Sequence, residues 1–547
     1  MVITGTRYRS ELIADKKFDV IIIGSGLSAL TMGSILSKSG QRVLLLEKHY
    51  TAGGFTHMFK RKEYVWDVGV HYVGEVHRPG SSFQRLFDFI SDGNLKWAKL
   101  DDVYDHVFIG ERHYPLRAGV ANYKKELYER FPASEDRQAI DRYVDLCFKI
   151  NRASSWYFLN KAMPATLRKL TRPLLGRTFR KYAAQTTLKV LQQFTQNKEL
   201  IAVLTAQYGD HGVPPAKSSF AVQALTSKHF FAGGNYPVGG AVNFAATIIP
   251  VIEKNGGMVL THAGVKRVLI ENNVAVGVEM ESGEKIFAPK IVSSAGVHKT
   301  FLDLVPQDNA IARKLKTQAQ SLPASIGHVC LYVGLKGNAD ELQLPKANYW
   351  IYPHNDFDRA LDEFCADPEK ELPLTYISFP GAKDPHWRAH HPDASTIEII
   401  TFSPWEWFTK WEESKWHKRG QDYDDFKEFL AQKMLEKLYK HSPLTKGRVD
   451  YYELSTPLST KHFCSYKKGE IYGLDHTPAR FLADWLTPDT PIKNLYMTGQ
   501  DIVSVGIGSS AMSGVLTTGK LARMNALGMI MKAPASNNNQ AEVQPQH

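Results

Sequence analysis

The stretch Phe18-Asp19-Val20-Ile21-Ile22-Ile23-Gly24-Ser25-Gly26-Leu27-Ser28-Ala29 reads as a strand running directly into a glycine turn. Gly33 and Gly40 follow at helical distances, and Glu47 closes a second strand-like run, Arg42-Val43-Leu44-Leu45-Leu46. This is the pattern of a βαβ unit built around a dinucleotide. Gly24 permits the tight turn, and Gly26 lets the backbone approach a pyrophosphate. Ala29 and Gly33 let the helix pack closely on the strand. The helix N-terminus at Leu27 and Ser28 points unpaired N–H groups and a positive dipole end at the phosphates. Glu47 is placed to accept from ribose hydroxyls. The alternative is a glycine-bearing helix–strand turn in an unrelated α/β fold.

The residues that follow select FAD among dinucleotides. Gly53-Gly54, in Thr51-Ala52-Gly53-Gly54-Phe55-Thr56, lets a second loop reach the same pyrophosphate without a Cβ clash. Far downstream, Asn494-Leu495-Tyr496-Met497-Thr498-Gly499-Gln500-Asp501 reads as a short buried strand ending in Gly and Asp. Asp501 can take a ribityl hydroxyl. The helix that opens at Gly508 and Ser509 can face the flavin edge where negative charge gathers on reduction. The cofactor-binding set is Gly24, Gly26, Leu27, Ser28, Ala29, Glu47, Lys48, Gly53, Gly54, Phe55, Thr56, Val265, Gly499, Asp501, Gly508 and Ser509. The FAD is expected to be non-covalent, because no flavin-attachment motif is recognisable. No second GxGxxG stands between Gly74 and Gly499, so a Rossmann-type NAD(P)H domain is not supported. Electrons for a reduction would come from NAD(P)H bound without that fold, or from another redox protein. For an oxidation, oxygen or a quinone would serve as acceptor.

At 547 residues the chain can hold two large domains or one complex discontinuous one. Cys147, Cys330, Cys365 and Cys464 are far apart and form no CxxC pair, so neither a disulfide framework nor a metal site is indicated. No apolar signal core precedes Phe18, and no run of about 18 apolar residues is present. The expectation is a cytoplasmic protein without a membrane span. The net charge of +11 is uneven. Between Asp145 and Glu199 there is no acidic residue, but eleven Lys and Arg, interleaved with Trp156, Tyr157, Phe158, Leu167, Leu170, Leu174, Leu175 and Phe179. This fits peripheral attachment to an anionic membrane surface. The bland reading is a solvated helical face with its aromatics in the core. No nucleic-acid motif is visible.

The fold class is α/β. A discontinuous, glutathione-reductase-like FAD-binding domain of Rossmann type is expected from 17–95, 232–304 and 486–532. A mixed α+β substrate and membrane-binding domain is expected from 96–231 and 305–485, with a disordered polar tail at 533–547. Helices are expected over 123–131, 136–148, 186–208 and 241–254. An antiparallel pair is expected around Glu271-Asn272-Asn273.

Several further stretches carry a resemblance. They are Asp67-Val68-Gly69-Val70-His71-Tyr72-Val73-Gly74, Tyr208-Gly209-Asp210, Gly233-Gly234-Asn235-Tyr236-Pro237-Val238-Gly239-Gly240, and Lys383-Asp384-Pro385-His386-Trp387. With the Phe18 and Gly499 segments, the chain resembles the FAD-dependent family of phytoene desaturases, carotenoid isomerases and retinol saturases, most closely the retinol saturase branch. The resemblance implies a two-lobed flavoprotein whose apolar polyene substrate enters from a membrane. It implies chemistry on a carbon–carbon bond, with saturation of a double bond as the leading reaction. Desaturation and cis–trans isomerisation stay open. Phe55-Thr56 departs from the small or cysteine residues of that family.

Flavin chemistry asks little of the protein beyond geometry, dryness and a proton donor or acceptor. The catalytic candidates are His71 and Tyr472, with Tyr72 and Glu470 as further proton-bearing groups. Each has an ordinary alternative as a core residue. The tryptophans after Trp387 are candidates for an apolar tunnel. Two other readings remain: a flavin amine oxidase-like enzyme acting on a polar amine, and a non-catalytic flavoprotein. The basic segment would repel a cationic amine.

Overall fold

In the computed structural model, which describes residues 3–533, distant parts of the chain meet in one six-stranded parallel sheet. Its strands run in the order Thr6–Arg7, Met258–Thr261, Val43–Leu46, Val20–Ile23, Lys290–Ser293 and Leu495–Met497. Val20–Ile23 and Val43–Leu46 are apolar and buried at every position. Unbroken apolar runs of this kind suit central parallel strands covered on both faces. The first helix, Leu27–Lys38, packs on them through Gly33. A Cβ at Gly33 would meet Ile252 and Leu45 at 3.0 and 3.1 Å. The helix Ile507–Ala522 crosses the first helix at Gly514, where a Cβ would lie 2.5 Å from the Ser28 carbonyl. A three-stranded antiparallel meander, Val265–Glu271, Val274–Met280 and Lys285–Phe287, is inserted before Lys290. It reverses at Asn272 and Asn273, both with positive φ, as the turn requires.

A second, seven-stranded sheet holds Val449–Ser455, Gly327–Lys336, Ala394–Ser403, Thr375–Ser378, Asn348–Tyr352, Val103–Ile109 and Arg112–Arg117, in that order. All neighbours are antiparallel except the pair Asn348–Tyr352 and Val103–Ile109. Helices Ser134–Ala162 and Phe220–Phe230 pack together beside it in one hydrophobic core.

Two helical expectations change. The helix expected over 136–148 continues to Ala162, because Tyr157 buries into the core well past the predicted end. The helix expected over 186–208 is broken into Thr187–Leu191 and Lys198–Thr205. Asn197 caps the second piece by accepting from the Glu199 and Leu200 amides, and its own amide group is held by Asp136. Among the described residues no helix is long and apolar enough to cross a membrane. From residue 534 on, the polar tail lies outside the described residues.

Candidate functional site

The carboxyl ends of the parallel strands open into one cavity of about 1100 Å³, and the seven-stranded sheet forms its far side. Ligands of open α/β sheets bind at this edge. Of the cofactor-binding residues singled out from sequence, all but Ala29 and Asp501 line the cavity. Two helix N-termini face it, those of Leu27–Lys38 and Ile507–Ala522. Their N-cap residues, Gly26 and Gly506, offer no side-chain cap. Each helix therefore presents free N–H donors to whatever occupies the cavity.

At Gly26, in the cavity wall, the protein leaves open space. A Cβ built on it would meet only the Ser294 hydroxyl, at 3.9 Å. The protein's own packing therefore leaves room for a side chain there, and an approaching phosphate does not. The Glu47 carboxylate is fixed at the neighbouring strand end. One oxygen accepts from the Ser25 amide at 3.0 Å and the Ser25 hydroxyl at 2.6 Å, and the other from the His49 amide at 2.8 Å. The second oxygen keeps an acceptor site for a ribose hydroxyl. Ser25 was not singled out from sequence. Its hydroxyl also accepts from the Gly53 amide at 3.0 Å, so it ties the two glycine turns together. These features fit a dinucleotide.

Two assignments need correction. Ala29 is fully buried in the packed face of the first helix. Asp501 is buried away from the cavity, with its carboxylate held between the Leu474 amide at 2.8 Å and the Val297 amide at 2.7 Å. It joins three segments and does not line the cavity. Gln500, its neighbour, lines the cavity instead.

His71, Tyr72 and Tyr472 line the cavity, while Glu470 does not. Glu470 lies at a separate small cavity and accepts from the Lys468 amide at 2.8 Å. Tyr472 donates to the Gly209 carbonyl at 2.8 Å, and burial raises its pKa. His71 Nδ1 lies 2.8 Å from a Glu398 carboxylate oxygen. Burial, reinforced by Lys383, pushes His71 down to about 3, and burial pushes Glu398 up to about 8. The pair therefore carries one titratable proton across neutral pH, with His71 Nε2 left for the cavity.

Sequence reasoning missed the network behind His71. Asp105, Asn348, Ser378 and Glu398 stand side by side on four strands, each fully buried. Lys383 donates to Asn348 Oδ1, to the Ser378 hydroxyl at 2.8 Å and to the His71 carbonyl at 3.1 Å. Burial lowers it to about 7. The Glu398 oxygen not facing His71 accepts from the Asp67 amide at 2.8 Å. Asp67 is raised to about 8 by burial and by Glu398, and it holds the Tyr236 hydroxyl and the Ala241 amide. The available signal was a lone charge in an apolar strand, Ile397-Glu398-Ile399-Ile400.

A pH dependence follows from these shifts. A carboxyl whose pKa rises on folding binds its proton more tightly in the folded state. Its contribution is complete below its ordinary pKa and is lost as pH rises through the folded value. Asp67 and Glu398 thus both destabilise the fold from about pH 4.5 to about pH 8. His71 opposes this up to about pH 6.5, and Lys383 opposes it above about pH 7. Glu398→Gln removes one of the two falling contributions. The melting temperature of this variant is expected to decline less between pH 5 and pH 8 than that of the unsubstituted protein. Parallel declines in a calorimetric pH series would refute the assignment.

The tryptophan expectation also changes. Trp405, Trp407 and Trp411 pack in the hydrophobic core beside the helix Gln421–His441, and Trp387 packs with Trp66 and Tyr332. None of them lines the cavity, whereas Trp350 does. The basic segment divides into two kinds of residue. Arg168 pairs with Asp489 at 3.1 Å and Arg172 with Asp484 at 2.7 Å, so acids from a distant segment neutralise part of its charge. Tyr157 and Phe179 are core residues, but Trp156, Leu170 and Leu174 are 56%, 77% and 82% exposed. Phe158, Leu159 and Met163, close by in sequence, line the cavity, and Leu159 is also exposed.

Residues 22–91 match the family described as NAD(P)-binding Rossmann-like domain. The chain is 35% identical over 524 residues to an all-trans-retinol 13,14-reductase of Danio rerio, covering 92% of this chain and 85% of that protein. It is 26% identical over 558 residues to prolycopene isomerase 1, chloroplastic, of an Oncidium hybrid cultivar, covering 95% and 86%. Among solved structures, cyclohexylamine oxidase from Brevibacterium oxydans superposes with a TM-score of 0.58 at 15% identity, covering 94% of this chain and 99% of that one. At that identity the likeness is one of fold.

Proposed function

The chain belongs to the all-trans-retinol 13,14-reductase family, and from that membership we propose that it is an FAD-dependent oxidoreductase acting on a carbon–carbon bond of an apolar polyene, saturating one double bond. The observation that carries this reading is the cavity itself. One continuous space joins the glycine turns and free helix N-termini to a wall of Trp350, Tyr376, Ile400 and Phe402. The first region suits a dinucleotide and the second an apolar chain. The glycine turns at Gly24, Gly26, Gly53 and Gly54, with Glu47, would hold the FAD. Bound FAD would supply hydride transfer. His71, backed by Glu398, would hold or release a proton at Nε2 on the cavity side. Photoreduced holoprotein, kept anaerobic, is expected to regain its oxidised absorbance when retinol or a carotenoid is added. Failure to recolour with any polyene contradicts the reading.

The substrate's route supports a peripheral membrane location. Trp156, Leu170 and Leu174 are exposed in the same segment as the cavity-lining Phe158, Leu159 and Met163. An apolar polyene could pass from lipid to cavity there without crossing water. Because Arg168 and Arg172 are already paired, the apolar residues make the sharper test. Leu170→Ser with Leu174→Ser is expected to weaken binding to anionic vesicles by at least about tenfold, since each buried leucine contributes roughly 1.5–3 kcal/mol. Equal co-sedimentation of this double variant would exclude the segment as the contact.

A further inference from the structure

The acid-free basic segment buries one of its charges with nothing to pair it. Lys161, in the last turn of the helix Ser134–Ala162, is 7% exposed. Its ammonium group makes no hydrogen bond and no ion pair among the described residues. It lies over the Tyr157 ring, 5.1 Å from the centre, and Arg180 lies over the same ring at 5.3 Å. A ring face attracts a cation but does not supply the acceptors that three N–H donors need. The nitrogen keeps some accessible surface, so a ligand can reach it.

The acceptors around Lys161 are already claimed. The Lys161 carbonyl accepts from Arg168 at 3.1 Å, and the Met163 carbonyl from Lys520 at 2.8 Å. Asn160 Oδ1 accepts from Arg180 at 3.0 Å, and the Phe481 carbonyl from the Tyr157 hydroxyl at 2.6 Å. The acids are claimed as well. Asp489 pairs with Arg168 and Lys520 at 3.1 and 3.2 Å, and Asp484 with Arg172 at 2.7 Å. Arg180 and Arg480 make no ion pair among the described residues, and neutral acceptors hold their guanidinium groups. Burial lowers the Lys161 pKa to about 7. Arg480, Arg180 and Arg168 push it the same way, and Asp484 opposes them. The packing thus leaves a buried cation among surplus cations, and an anion would pair it.

We propose that Lys161 and Arg180 hold the phosphate group of an anionic phospholipid when the protein sits on a membrane. This rests on the membrane reading above and adds a headgroup site to the apolar contact. The choice of a lipid comes from the residues next in the chain. Leu167 and Leu170 lie on the helix Ala165–Thr171 and Leu174 in the turn after it, and all three are exposed. A phospholipid offers an anion and acyl chains together, so one short segment meets both. A free phosphate offers only the anion. A choline headgroup would bring a further cation into the surplus.

The test uses the flavin-reconstituted full-length protein and its Lys161→Met variant. The soluble probes are dihexanoyl phosphatidylglycerol below its micelle concentration, dihexanoyl phosphatidylcholine and inorganic phosphate. Phosphatidylglycerol is expected to bind at least about tenfold more tightly than either other probe in calorimetry, and Lys161→Met to lose about tenfold or more of that affinity. At about pH 8 most of the Lys161 population is neutral, and a bound phosphate charges it. Binding should therefore take up a proton, seen as a heat that varies with the buffer. The variant removes an unpaired buried charge, so it should fold and hold flavin as the unsubstituted protein does. Inorganic phosphate binding as tightly as phosphatidylglycerol overturns the lipid assignment. Equal affinity in Lys161→Met, or binding of no probe, overturns the site. Mixed vesicles of the two phospholipids separate the readings. Vesicle binding unchanged by Lys161→Met but weakened by Leu170→Ser with Leu174→Ser leaves the membrane reading standing and removes the headgroup site. No vesicle binding by the unsubstituted protein overturns both.

Discussion

Gly26→Val is expected to give a folded protein that retains no flavin. Two facts make the prediction sharp. The backbone at position 26 has φ of −58°, which any residue can adopt, so the substitution introduces no conformational strain. A Cβ there meets only Ser294 Oγ, at 3.9 Å, so the protein can accommodate the first atom of the new side chain. What valine fills is the space in front of the N-terminus of Leu27–Lys38, where a pyrophosphate would accept backbone N–H groups. Losing two or more charge-assisted hydrogen bonds predicts at least about 100-fold weaker FAD binding. The flavin-to-protein ratio after gel filtration with added FAD measures it. Flavin retained at the normal ratio would show that the phosphates lie elsewhere.

Lys383→Met is expected to cost about 3–5 kcal/mol of stability, among the largest effects of a single substitution. The lysine is 2% exposed, and its ammonium group serves three acceptors on three different elements. Methionine fills a similar volume and serves none of them. The cost is that of leaving Asn348, Ser378 and the His71 carbonyl unpaired in a buried site, each worth about 1–3 kcal/mol before relaxation. The same change removes a cation that holds the Glu398 carboxyl down, so Glu398 should keep its proton to still higher pH. Chemical denaturation of the holoprotein measures the loss. A change below about 1 kcal/mol would mean that water takes over the role of the ammonium group.

The dinucleotide turn was legible because its chemistry is local. A run of apolar residues, two glycines and a strand-ending acid lie within thirty positions, and they form the strand, helix and second strand that the pattern predicts. Most of the parallel sheet was legible for a related reason, since five of its strands are short, mainly apolar runs, whereas the edge strand Thr6–Arg7 is polar and exposed and carries no such signal. Asp501 was misread because the sequence gives its strand-end position but not its direction. Two amides from segments about 27 and 200 residues away claim its carboxylate. The polar row behind His71 was invisible for a deeper reason. Asp105, Asn348, Ser378 and Glu398 become neighbours only through strand register, and register between distant strands is not written in any local pattern. The Lys383 stretch stood out by resemblance alone, and the fold supplies its physical role. The tryptophans misled because composition cannot distinguish a residue that lines a cavity from one that packs a neighbouring core.

The central claim is saturation of one polyene double bond by an enzyme that uses its own bound flavin as the immediate hydride source. The most direct measurement is the mass of the product from a single anaerobic turnover of all-trans-retinol by photoreduced holoprotein in deuterated buffer, where exchangeable hydrogens of the reduced flavin are deuterium. After back-exchange of the hydroxyl in ordinary water, the account predicts a product heavier than retinol by two deuterium atoms, both on carbon. A product of unchanged mass with altered double-bond geometry, or one lighter by two hydrogens formed only with oxidised flavin, would contradict it.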